Sequence, residues 1–185
     1  MAVETFFLMG FRAMSDMIKE IFPPGEENAL VKKLNVTEGD ALSKFIENIL
    51  RKLKDIAFKD KDLRFHLIKQ LEPAFGYKLI LKLEPIQPIA IAFNKNTDIF
   101  EVSNATEKDI EDFPGLIFPF DLFKRFLIED LDVLRFITEG QVEFEKFFEL
   151  DEIIVRALLG FSSAYFLREN FRDRVKKELP KVIGD

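Results

Sequence analysis

The 185-residue chain has no cysteine, no tryptophan, one histidine and two tyrosines. The lack of cysteine excludes a disulfide framework, a thiol nucleophile and cysteine-based zinc sites. It fits a reducing cytosol, the compartment expected for this chain. The single histidine, His66, has no HxxxH or HxxE pattern beside it, so the partners of a metal ligand or a Ser-His-Asp arrangement are missing. A place at the surface or the core edge is expected for it. Eight glycines, at 10, 25, 39, 76, 115, 140, 160 and 184, never fall into a GxGxxG or Walker spacing, which removes the usual phosphate loops. No catalytic residue, metal or cofactor is assigned on these grounds, and the chain is read as a non-enzyme. Glu4 stands where a secretory leader needs positive charge, and the longest apolar run near the start is Phe6 to Met9. Neither a signal peptide nor stable membrane insertion is expected.

Positive charge is also short. Acidic residues outnumber basic ones by 33 to 27, a net charge of −6, so no overall field draws nucleic acid or anionic lipid. Two basic clusters with aromatics, Phe123-Lys124-Arg125-Phe126 and Phe171-Arg172-Asp173-Arg174, are diluted by acidic neighbours, and nucleic acid is not expected as a partner. The acid pairs Glu129-Asp130 and Asp109/Asp112 sit in polar runs and read as helix caps or solvated turns. The loop from Asn94 alternates oxygen side chains as a calcium loop does. Its sixth position is Ile99 instead of Gly and its twelfth Ala105 instead of Glu, so calcium is rejected. Much Lys, Glu, Ile and Phe beside no Cys resembles the composition of heat-adapted proteins.

What the chain has in excess is phenylalanine, 22 residues, nine of them between Phe113 and Leu150. Phe supplies large apolar area with no polar atom to satisfy. Such residues either fill a solid core or line an interior that takes an apolar ligand.

The order of elements follows from period. Residues 3–22 carry Phe7, Phe11, Met14, Ile18 and Ile21 on one helical face, with Phe6, Met9 and Met17 outside it, and Pro23-Pro24-Gly25 stops the helix. A short helix over 26–34 follows. Thr37 is placed to cap a longer helix bearing Leu42, Phe45, Ile46, Ile49, Leu53 and Ile56, with Lys44, Glu47, Arg51, Lys52 and Lys54 on its other side. A helix over 63–72 ends before Pro73. From Gly76 the period becomes two: a strand over 77–84 with Leu79, Leu81 and Leu83 on one face, a second over 89–93, and a third over 98–103. Leu116 to Phe118 reads as a short inner strand. A helix starts at Asp121 and a second near Asp130, with Gly140 as its stop. Gln141 to Phe148 alternates again, with Val142 and Phe144 inward. A helix over 151–159 breaks at Gly160, and a last one carries Leu167, Phe171, Val175 and Leu179 up to Pro180.

This order is similar to that of the sterol-carrier-protein (non-specific lipid-transfer) domain, best over roughly residues 60–160. Leu116-Ile117-Phe118 leading into Pro119-Phe120-Asp121-Leu122-Phe123 looks like that family's strand-to-helix junction. Gly140-Gln141-Val142-Glu143-Phe144 looks like its short strand after the helix pair. The resemblance implies a sheet covered on one face by helices, an apolar tunnel between the layers, and fatty acyl, sterol or isoprenoid ligands. The expected fold is α+β: a five-stranded, mainly antiparallel sheet covered by helices, with a helical N-terminal extension (1–58), a sterol-carrier-like domain (59–185) and a closing C-terminal helix, together one structural unit. Candidate lining residues are Leu81, Ile91, Phe93, Phe118, Phe123, Phe126, Leu127, Phe136 and Phe144. The expected partner is an apolar small molecule. The alternative is an interaction module with a solid Phe-rich core that forms a homodimer through residues 3–22.

Overall fold

A computed structural model describes residues 2–25, 28–37, 40–96, 99–128, 133–146 and 151–184. The fold is α+β. Three helices come first, α1 (Ala2–Ile21), α2 (Ala29–Val36) and α3 (Asp40–Phe58), followed by α4 (Lys61–Leu71) and a 3-10 turn over Glu72–Ala74. Then come β1 (Lys78–Lys82), β2 (Ile89–Asn94), β3 (Ile99–Asn104), α5 (Glu107–Asp112), β4 (Gly115–Ile117), α6 (Phe120–Ile128), α7 (Val133–Thr138) and β5 (Glu143–Glu145). The chain closes with α8 (Asp151–Leu167), α9 (Glu169–Glu178) and α10 (Lys181–Gly184).

The strands form one sheet in the order β3-β2-β1-β4-β5. Three of its pairings are antiparallel and one, β1 with β4, is parallel. Alternate residues of a strand point to opposite faces and registered partners share a face, so the register sorts every side chain. One face carries Leu79, Leu81, Ile89, Ile91, Phe93, Phe100, Val102, Leu116 and Phe144, all packed in or against the main core with the helices. The other carries Lys78, Ile80, Lys82, Ala90, Ala92, Glu101, Ser103, Gly115, Ile117, Glu143 and Glu145. We call these the inner and outer faces.

The core continues from the sheet into the helices. Met17 and Ile21 of α1, Leu42, Phe45, Leu53 and Ile56 of α3, Leu63, Leu67 and Leu71 of α4 and Phe171 and Val175 of α9 belong to one buried cluster. α8 is the central helix: α1 and α4 pack on it, and Phe161 meets Phe100 of β3 at 6.1 Å between ring centres.

Local chemistry explains where the structure departs from the sequence reading. Met17 is buried although it is expected outside the α1 stripe, because the enclosed line runs through Gly10, the half-buried Met14, Met17 and Ile21; Met9 is exposed, and the side chains of Phe7 and Phe11 lie outside the described residues. α2 begins after Asn28, a buried cap. Its side chain accepts the Val31 N–H at 3.1 Å and donates to the carbonyls of Phe22 and Pro23, tying down the Pro-Pro-Gly turn. The Thr37 hydroxyl donates back to the Lys33 carbonyl at 2.7 Å and closes α2; the cap expected of it for α3 runs through Glu38 and Gly39, which lie outside the described residues. Lys54, expected on the solvated side of α3, is only 5% exposed. It flanks the apolar stripe, so its stem packs while its ammonium reaches Asp55 at 3.3 Å.

Gly160 does not break α8. The helix runs through it, and the Gln70 carboxamide of α4 occupies the space a Cβ would need. Leu167 closes α8 and is 83% exposed, so the last stripe begins only at Phe171. The start of α7 near Asp130 and the residues Asp98, Phe147 and Phe148 lie outside the described residues. Gly140 ends α7 as expected. It adopts φ +70°, and the Gln141 N–H then closes on the Phe136 carbonyl at 2.8 Å.

Candidate functional site

Exposure does not follow position in the sheet. β1 is the central strand, yet its inward side chains Leu79 and Leu81 are only half-buried, while its outward Ile80 is 0% exposed. Ile91 of β2, Leu116 of β4 and Phe144 of β5, all inward, are half-buried as well. Register makes these five contiguous. Leu79 pairs with Ile91, Leu81 with Leu116, and Leu116 with Phe144. The result is an apolar strip crossing from β2 to β5, three strand spacings or roughly 14 Å. Phe123 of α6 and Phe136 and Ile137 of α7 are half-buried apolar groups that pack against the same core.

The candidate lining residues divide accordingly. Leu81, Ile91 and Phe144 stand on the strip, and Phe123 and Phe136 come from the helices. Phe93 and Phe118 are buried in packed aromatic pairs, Phe93 with Phe100 at 5.7 Å and Phe118 with Phe123 at 5.5 Å, both edge to face. Phe126 and Leu127 fall on α6, and their side chains lie outside the described residues. Leu79 and Leu116 belong to the same strip but escape the sequence reading, as does the half-buried Ile137 of α7. For the first two the signal was present, since Leu79 alternates with Leu81 and Leu116 is the middle residue of a three-residue strand.

The outer face has a different chemistry. α5 packs on β1 there, and its Asp109, 7% exposed, receives Lys78 at 2.6 Å. Asp109 also closes a capping box with Thr106. Those bonds, the Lys78 one foremost, hold its carboxyl down at about 2. Lys82 of β1 pairs with Glu145 of β5 by reaching over β4, where Gly115 has no side chain to obstruct it. Lys146, just past β5, donates to the carbonyls of Ile110 and Glu111 and so clips β5 to α5.

Elsewhere the polar groups serve the fold. Glu178 of α9 takes Lys52 at 2.9 Å and Lys59 at 3.0 Å from α3 and the turn after it, which lowers its carboxyl to about 2. Asp60 caps α4 through the Leu63 and Asp62 N–H groups and pairs with Arg168 at 3.0 Å; the Leu63 bond is the main cause of its depressed carboxyl. Tyr165 is fully buried, its hydroxyl within the geometric limits of a hydrogen bond to no described residue, and burial, with the nearby Glu20 charge second, pushes the phenol well up. His66 is exposed, its ring against Phe65. Among the described residues no three His, Asp or Glu converge as a metal set, and no helix is long and apolar enough to cross a membrane. Two surface grooves lie elsewhere: one of about 520 Å³ with mixed walls, among them Lys33, Lys44, Phe45 and Val182, and one of about 230 Å³ with mainly polar walls beside Lys59, Asp60 and Arg174.

No family model matches the chain, and neither a curated protein nor a solved structure matches it.

Proposed function

We propose that this protein binds the apolar part of a small ligand between the inner face of its sheet and helices α6 and α7, without chemistry on it. The observation that carries this reading is the incomplete burial of inward side chains on the central strand. In a filled core Leu79 and Leu81 would be the most enclosed residues of the sheet, since protein interiors pack to crystal density. Instead they and three registered neighbours keep accessible apolar surface. Covering such a strip is favourable by about 25 cal/mol per Å² of apolar area removed from water.

Element order supports the same reading. Three antiparallel strands, a short strand, two helices, a returning strand and closing helices are the features on which the likeness to the sterol-carrier-protein domain rests. That likeness makes fatty acyl, sterol and isoprenoid chains the classes to test. The other use of the chain, self-association through residues 3–22, draws on the exposed Met9 of α1, but Met17 and Ile21 of that helix are already enclosed in the core.

Uptake of the neutral fluorophore N-phenyl-1-naphthylamine tests the proposal. It should saturate at about one probe per chain. Leu81→Trp, which fills the strip, should abolish it while keeping a cooperative unfolding transition. Absence of uptake by the unmodified protein, or uptake unaltered in the variant, would refute the reading.

A further inference from the structure

The sheet separates its chemistry by face. Every charged side chain that the register assigns to the described strands, Lys78, Lys82, Glu101, Glu143 and Glu145, stands on the outer face. The inner face carries none. Its one polar side chain among the described strand residues is Asn104, uncharged, at the β3 end of the row that runs through Ile89, Leu81, Leu116 and Phe144. Ile89, 1% exposed, stands between that amide and the strip. Phe123, Phe136 and Ile137, half-buried against the same core from α6 and α7, carry only hydrocarbon.

An ionised carboxylate or phosphate moved onto such a surface would lose its water and, among the described residues of the sheet's inner face, gain neither a donor beside it nor a counter-charge, which is strongly unfavourable. The described cations of α6 and α7 are already engaged: Lys124 lies over the Phe120 ring at 4.8 Å and pairs with Asp121 at 2.9 Å, Arg135 pairs with Glu139 at 2.7 Å, and Arg125 has a partner of its own. Resting on the reading above, we infer that the part of the ligand held on this strip is an uncharged alkyl or prenyl chain, and that any ionic head remains in water, unread by the protein. Affinity is then set by chain length and shape. Charge on the ligand's end contributes little, and salt does not weaken binding.

The test is displacement of N-phenyl-1-naphthylamine from the full chain by three ligands of equal length: dodecanol, dodecanoate and dodecylammonium, at 50 and 500 mM salt. Dodecanol should displace at least as well as either ion, at both salt concentrations. Each methylene removed from the series should weaken binding about fourfold. Ile91→Trp, on the strip, should weaken all three alike. If one of the ions binds more than tenfold tighter than dodecanol and loses that advantage at 500 mM salt, a charged group reads the head, and the inference falls while lipid binding stands. Equal binding that Ile91→Trp leaves untouched places the ligand elsewhere and overturns the inference as well. If the protein takes up no probe at all, the proposed function fails and this inference fails with it.

Discussion

Removing the Asp109 carboxylate should weaken the fold in a pH-dependent way whose size the structure sets. Asp109 Oδ1 accepts from Lys78 Nζ at 2.6 Å, and Oδ2 accepts from the Thr106 N–H at 3.0 Å and its hydroxyl at 2.8 Å. These bonds lower the carboxyl from 3.8 to about 2. Near 1.4 kcal/mol per unit, the ionised form favours the folded state by about 2.4 kcal/mol. Lys78 is 35% exposed, so solvent screening makes that an upper value and about 2 kcal/mol the working one. The sign follows from a depressed carboxylate. The contribution is complete above about pH 5, where folded and unfolded chains are both ionised, and disappears as pH falls through 3.8 towards 2. Asp109→Asn keeps an acceptor but leaves Lys78 without its counter-charge, and should lose about 1–2 kcal/mol at pH 7. Asp109→Ala, which also opens the capping box, should lose about 2–3 kcal/mol. For a domain of this size each kcal/mol lowers Tm by roughly 2–4 °C. Urea unfolding of wild type and Asp109→Asn at pH 7 and pH 3 reads the difference. It should roughly halve at pH 3, since the other carboxylates are common to both proteins. A difference independent of pH would mean that the ion pair is not what Asp109 contributes.

Tyr165→Phe removes a buried hydroxyl that has no hydrogen-bond partner among the described residues, so stability by chemical denaturation should stay level or rise by up to about 1 kcal/mol; a loss above about 1 kcal/mol would reveal a bond to that hydroxyl, with Glu20 the nearby acceptor. Gly160→Ala adds helix propensity to α8 but meets the Gln70 carboxamide. Alone it should be near neutral, and together with Gln70→Ala it should gain about 1 kcal/mol; simple additivity in the double-mutant cycle would show that the two sites do not touch. Glu145→Gln breaks the pair with Lys82, whose acidic partner is 41% exposed. Its cost should be below about 1 kcal/mol and vanish in 1 M salt, and a larger, salt-insensitive cost would contradict the surface character of that pair.

Much of the architecture was legible in the periodicities. The switch from 3.6 to 2 at Gly76, the stop at Gly140 and the alternation of Leu79, Leu81, Val142 and Phe144 all placed elements where they stand. The parallel pairing of β1 with β4 was not legible, because a three-residue strand carries no information about its partner. Lys54 and Leu167 misled for opposite reasons. A lysine beside an apolar stripe can bury its stem, and a leucine in register with a stripe can belong to the preceding helix. Phenylalanine was the hardest to apportion. Phe93 and Phe118 satisfy the same pattern as Phe144, and only three-dimensional neighbours show that the first two are buried while Phe144 is half-buried.

The clasp over Gly115 also bears on how these molecules meet one another. A sheet that ends in a strand paired on one side only offers unpaired backbone groups as a template for further strands, the usual route to edge-to-edge aggregation. Here β5 is that edge, and it is three residues long, Glu143-Phe144-Glu145, with Lys146 turning the chain away in a left-handed conformation at φ +53°. Two copies approaching edge to edge would bring glutamates against glutamates along a ladder too short to compensate. At the other end of the sheet α3 packs on β3. A sheet whose inner face keeps half-buried apolar side chains thereby offers only a short, charged edge at β5 to a second copy.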